Sequence, residues 1–178
     1  MGKALDEYVA AAKEAGAVWA RAVPASYVVT AAWVRFKCQF GCSGYDNGRY
    51  CPPRTPTPAE TAAVVKCYER AILAAWEAPV GQKERRARRK SMHETMLALE
   101  RRLFLDGFYK ALGFVGGPCN LCPECDLSKP CKREGEPRPA MEACGMDVFA
   151  TLANAGFKLE VRTDKSPCYN QCGLLLVD

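Results

Sequence analysis

Cys119-Asn120-Leu121-Cys122-Pro123-Glu124-Cys125, followed after five residues by Cys131, is the stretch around which the rest of the chain must be arranged. Two consecutive C-x2-C steps put three thiols in one tight loop, closer together than disulfide bonding uses. A bacterial ferredoxin run reads C-x2-C-x2-C-x3-C-P, with three ligands to one cluster and the fourth to its partner. Here the first three positions match and the last gap is x5. Zinc knuckles bring one C-x2-4-C pair each, not three cysteines so close together. The run therefore points to an iron–sulfur cluster, and other segments must supply its missing thiolates.

Those segments are visible. Cys38, Cys42 and Cys51 lie in a glycine-rich loop that ends Cys51-Pro52-Pro53, with Asn47-Gly48 as a turn signal. Gly41, Gly44 and Gly48 let the backbone approach an inorganic core closely. Each loop, 38–53 and 117–144, has three closely spaced ligands, and Cys131 and Cys144 are the candidates for the fourth positions. Eight thiolates complete two 4Fe–4S clusters: Cys38, Cys42, Cys51, Cys119, Cys122, Cys125, Cys131 and Cys144. The ferredoxin habit sends Cys131 across to the other loop, while the longer gap lets it wrap back to its own, and spacing leaves both pairings open. Two four-cysteine zinc sites are the bland alternative. Cys67, on a helix, reads as a buried thiol. Cys168 and Cys172 form a C-x3-C pair that suits a redox dithiol, a ligand pair or two unrelated thiols.

The 178 residues suit one domain, 1–178, long enough to bury a core without disulfide staples. Eleven cysteines is far above ordinary usage. The N-terminal stretch has no continuous apolar segment of the secretory kind. No apolar run approaches the ~20 residues that span a bilayer. A cytoplasmic location is expected, where clustered cysteines bind metal more often than they pair. The formal charge is +5 with thiols counted as neutral. Two thiolate-held clusters would add roughly −4, leaving about +1, so the basic balance is no argument for nucleic acid.

Periodicity places an amphipathic helix over about 3–21 and one or two strands in Ser26 to Cys38. Thr57-Pro58-Ala59-Glu60 is a helix start with a capping box, the helix running to about Arg70. Ala71 to Trp76 reads as a buried strand. Residues 81–110 form the longest helix, with Met92, Met96, Leu99 and Leu103 at helical spacing. Its KERRARRK run reads as a solvated face, or alternatively as a docking patch for an acidic redox partner or a phosphate-bearing ligand, and His93 as a surface residue. A short strand at 111–117, a helix over 138–155 capped by Gly156, and strands at 158–162 and 173–177 complete the chain. The expected class is α+β: one domain, a small sheet flanked by helices, the cysteine loops at strand ends.

The segments VRFKCQFGC…CPPRTPTPAET, LFLDGFYKALGFVGGPCNLCPECDLSKPC, RPAMEACGMDVFATLANAGF and GLLLVD resemble a family of small predicted metal-binding proteins of anaerobic bacteria and archaea, a domain of unknown function. The resemblance covers most of the chain from Trp33 onward. It implies the same eight cysteines as ligands and leaves Cys67, Cys168 and Cys172 outside the pattern. The function expected is one-electron transfer by two 4Fe–4S clusters, with a redox protein as partner. A cluster-dependent enzyme with an open iron for a small substrate is the alternative, and a zinc-binding structural or sensing module a third. Neither nucleic acid nor membrane is an expected partner; a second copy of the chain is left open.

Overall fold

The computed structural model of the protein describes residues 4–79, 81–161, 163 and 168–178. Its centre is an antiparallel four-stranded sheet in the order β1-β2-β4-β3, with β1 Trp19–Pro24, β2 Arg70–Pro79, β3 Leu112–Phe114 and β4 Cys168–Leu176. Pleating turns the apolar run of β2 to two sides. Ile72, Ala74 and Trp76 enter one core layer, while Ala71, Leu73 and Ala75 enter the other. Helices α1 Asp6–Glu14 and α4 Gln82–Leu105 cover the first face with Tyr8, Ala12, Met92, Met96, Leu99 and Leu103. The second face meets Val65 of α3 Pro58–Val65, Leu152 of α5 Val148–Asn154, and the short 3-10 turn Glu142–Cys144. The class is α+β, as the alternation of helices and strands implied. No helix among the described residues is long and apolar enough to cross a membrane.

Several expected elements stand. Thr57 caps α3 by a reciprocal box with Glu60. The 71–76 strand lies within β2, the four spaced apolar residues of α4 are buried, and the 111–117 strand is β3, shortened.

Others are corrected. The first helix stops at Glu14, and residues 19–24 become the edge strand β1, because pairing with β2 outweighs the local alanine content. The strand expected in Ser26 to Cys38 is a 3-10 turn, Ala25–Tyr27, followed by helix α2, Ala32–Gly41. As a strand, Val34, Phe36, Cys38 and Phe40 would share a face. As a helix, Val34 is buried and Cys38 half-buried one turn on, while Phe36 and Phe40 stay exposed. The helix expected over 138–155 breaks at Gly145, where φ is +77° and an added Cβ would overlap Pro58. Only glycine fits there. The chain then restarts as α5 with Asp147 as N-cap, its carboxylate accepting the Ala150 N–H at 3.0 Å. Residues 158–161 form no strand, and residue 162 lies outside the described residues. The final strand is longer than expected, beginning at Cys168. Cys67 is exposed rather than buried.

Candidate metal centre

The first cysteine loop grows from the end of α2. Helical spacing turns Cys38 toward the 3-10 turn, its thiol 3.9 Å from the Glu142 carbonyl oxygen, and Cys42 caps the helix. The Gly44 N–H donates to Cys42 Sγ at 3.4 Å. A Cβ at Gly44 would lie 3.5 Å from Cys42 Sγ and 3.6 Å from Cys51 Sγ, so both thiols flank the same bare stretch of backbone. At Gly48 a Cβ would meet Cys51 Sγ at 2.7 Å, too close for any side chain. Burial pushes the Cys38 and Cys51 thiols up, and neighbouring cysteines push them further: Cys42 on Cys38, and Cys42 and Cys38 on Cys51. Such mutual repulsion is relieved by a cation that takes the thiolates.

The second loop lies beneath the first turns of α4. Arg86 donates to the carbonyls of Cys122 and Pro123, and the Asn120 side-chain amide donates to the Arg86 carbonyl at 2.9 Å. Part of the basic run expected to be a solvated face thus holds the cysteine loop. Leu121 is buried and anchors it. Burial raises the Cys119 thiol most; a hydrogen bond from the Leu121 backbone lowers it, and Cys125, Cys122 and Cys131 raise it again. The overlong x5 gap is a self-contained turn. Asp126 Oδ1 accepts the Ser128 N–H at 3.0 Å and its hydroxyl at 2.6 Å, and Lys129 pairs with Asp126 at 3.2 Å. Beyond that turn Cys131 adjoins Tyr50 of the first loop and also acts on Cys119.

The two loops meet. Arg49 of the first donates to the carbonyls of Asp126, Leu127 and Lys129 in the second. The Tyr50 hydroxyl is raised by burial first and then by the adjoining Cys131 and Cys119 thiols, and Cys119 also acts on Cys51. Arg49 and Tyr50 escape a reading of the sequence, because only their neighbours Gly48 and Cys51 carry a signal.

Cys144 stands apart. It is fully buried in the second core layer, its carbonyl held by Thr61 Oγ1 at 2.7 Å. Burial pushes its thiol up to about 12, and the charged groups acting on it are Arg35 and Glu142, not the loop thiols. Cys67 lies at the end of α3, bonded to the Ala63 carbonyl. Cys168 and Cys172 are four residues apart on β4, where a rise of about 3.4 Å per residue separates them by about 13 Å. They are unrelated thiols, not a redox pair. His93 is 1 % exposed rather than on the surface. Its Nε2 accepts the Arg138 N–H at 3.0 Å, because a loop that sequence spacing cannot place covers this side of α4.

A cavity of about 620 Å³ opens beside Cys38 and Cys42, bounded also by Glu142, Arg89 and Cys172. Glu142 Oε1 accepts the Gly117 N–H at 2.9 Å, and burial raises its carboxyl while Arg89 partly offsets this.

Among the described residues no three Cys, His, Asp or Glu side chains close to the spacing of one shared metal ion. The thiols instead gather in two adjoining sets on glycine-bared backbone, a soft donor set of the kind that takes iron–sulfur groups or zinc. These features define a cysteine-rich α+β protein with two adjoining thiol loops. The chain belongs to a family described as predicted metal-binding proteins (DUF2284), which matches residues 21–177. No curated protein and no solved structure matches it.

Proposed function

We propose that the chain holds two iron–sulfur clusters, one per cysteine loop, and passes single electrons between redox partner proteins. The observation that carries this reading is the seam between the loops, where Arg49 of the first donates to the Asp126, Leu127 and Lys129 carbonyls of the second. Two groups held there would lie close enough for a short relay. Thiols gathered but not converged on one point suit a polynuclear group better than a zinc ion, whose four ligands crowd within about 2.3 Å of a single centre. Cys119, Cys122, Cys125 and Cys131 would hold one cluster and Cys38, Cys42 and Cys51 the other. Bound clusters supply one-electron redox chemistry at a potential tuned by hydrogen bonds to sulfur. The chain's part is to exclude water with Leu121 and to aim donors such as the Gly44 and Leu121 amides at the sulfurs.

A second reading is favoured by Cys144, whose thiol is buried away from the loops. The first loop then offers three thiolates only, two of which, Cys38 and Cys42, line the cavity, and the group there serves a small substrate. One preparation tests both. Anaerobically purified protein is expected to contain about eight iron and eight sulfide per chain, with two interacting spins by EPR after reduction. An iron-free protein with two zinc ions overturns the proposal. Full iron content in Cys144→Ser favours the open centre, and loss of half the iron favours eight protein ligands.

A further inference from the structure

We infer that the outer face of α2 docks a partner protein that sets carboxylates around an apolar centre, and that this partner is an electron carrier serving the first cysteine loop. The partner's role as a carrier rests on the reading above; the docking face does not.

Helical spacing sorts α2 into two sides. Val34 is buried and Cys38 half-buried on the inner one. Trp33, Phe36, Lys37 and Phe40 stand at i, i+3, i+4 and i+7, one stripe of the helix surface. The three aromatics are 51 %, 60 % and 76 % exposed. The rings of Phe36 and Phe40 lie 5.8 Å apart, and the Lys37 ammonium sits 5.6 Å from the centre of the Trp33 ring. At about 200 Å² per aromatic side chain, roughly 370 Å² of this stripe faces water. Contiguous apolar surface of that size on a folded chain marks an interaction site.

Area and charge choose the occupant. A stable dimer buries about 800 Å² on each partner, whereas transient electron-transfer encounters lie below that. The stripe is of the smaller kind. Lys37 is the charged residue within it, and a second copy related by a two-fold axis at its centre would bring two ammonium groups together. A carboxylate from a different protein removes that cost. The flanking segment has the same sign: residues 32–56 hold Arg35, Lys37, Arg49 and Arg54 against Asp46, which Arg54 pairs at 2.8 Å. It stays positive after the roughly −2 of a thiolate-held cluster. Of the carboxylates nearby, Glu142 accepts the Gly117 N–H, Asp147 caps α5, and Glu160 lies off the helix on the cavity wall. Position serves the electron. Cys38 is on the inner side of the same helix and Cys42 at its end, about one helix diameter, 10–12 Å, from the stripe. The reduced carrier loses one electron, the bound cluster gains it, and no bond is made or broken.

The test is anaerobic titration calorimetry of the full-length, metal-loaded protein with two acidic one-electron carriers, a flavodoxin and a plant-type ferredoxin. At least one is expected to bind with Kd below about 100 μM, and about tenfold more weakly when salt rises from about 50 to about 200 mM. Phe36→Ser and Lys37→Glu, both at exposed positions, are each expected to weaken binding about tenfold, with circular dichroism and iron content unchanged. Phe104→Ser, exposed near the end of α4, is expected to leave binding unaltered. In stopped flow the two α2 variants are expected to slow reduction by the carrier severalfold and not reduction by methyl viologen, which is too small to need a docking face. No binding of either carrier up to about 1 mM, binding that ignores salt, or indifference to both α2 variants overturns the inference. A dimer in sedimentation velocity that Phe36→Ser abolishes also overturns it, and gives the stripe to a second copy. Iron measured on the same sample separates the two questions. Carrier binding of this pattern by an iron-free protein overturns the cluster proposal and leaves the docking face standing.

Discussion

His93 shows how one side chain can be decided by a partner far away in the chain. Its ring accepts the Arg138 N–H, so the folded protein requires it neutral. Burial, the largest cause, holds its pKa below the usual histidine value, and Arg138 and Arg133 act in the same direction. The unfolded chain therefore binds the proton more readily. The contribution is present above the unfolded value of about 6.5 and is lost as pH falls through the folded value. Denaturant midpoints measured between pH 8 and pH 5 are expected to fall more for the native protein than for His93→Gln. Groups common to both cancel in that difference. Equal slopes would mean that His93 does not report on folding.

At the scale of the element, α4 has two working faces. One packs Met92, Met96, Leu99 and Leu103 against the sheet. The other holds the cysteine loop through Arg86 and the segment before the 3-10 turn through Glu100. Glu100 receives two hydrogen bonds from Arg138, both 2.7 Å, and one from the Gly113 N–H at 2.9 Å. It is a mostly buried pair, with the side chains 12 % and 18 % exposed. Removing one partner strands the other charge, so Glu100→Ala is expected to cost about 3 kcal/mol, read from chemical denaturation. Glu100→Gln keeps part of the hydrogen bonding and is expected to cost less. The exposed pair of Lys90 and Glu94, 3.8 Å apart, is expected to contribute well under about 1 kcal/mol.

At the scale of the whole molecule, the sheet acts as a platform on which two sequence-distant loops are brought edge to edge. Arg49 donates its guanidinium across that seam to three carbonyls of the second loop. Arg49→Met is expected to leave the fold intact, since the residue lies outside both core layers. The spin–spin coupling in EPR of the reduced protein is expected to weaken, with iron lost first from the second loop. Unchanged coupling and metal content would show that the loops hold their registry without it.

Much was legible from local chemistry. The capping box at Thr57, the buried run of β2 and the apolar stripe of α4 are each written within a few residues, where short-range sterics and periodicity act. Competition between distant segments decided the rest. β1 is a strand because β2 needs an edge partner, and α2 is a helix that turns Val34 and Cys38 inward and leaves Phe36 and Phe40 exposed. The turn at Asp126 and Ser128 fills the gap before Cys131, which adjoins Tyr50, and burial behind Thr61 set Cys144 apart. The run Cys119–Cys131 by itself determined that this protein gathers thiols. How the two loops stand against each other, and that a cavity opens beside Cys38 and Cys42, was decided by tertiary packing. Such contacts join residues whose spacing along the chain carries no information about their distance in space.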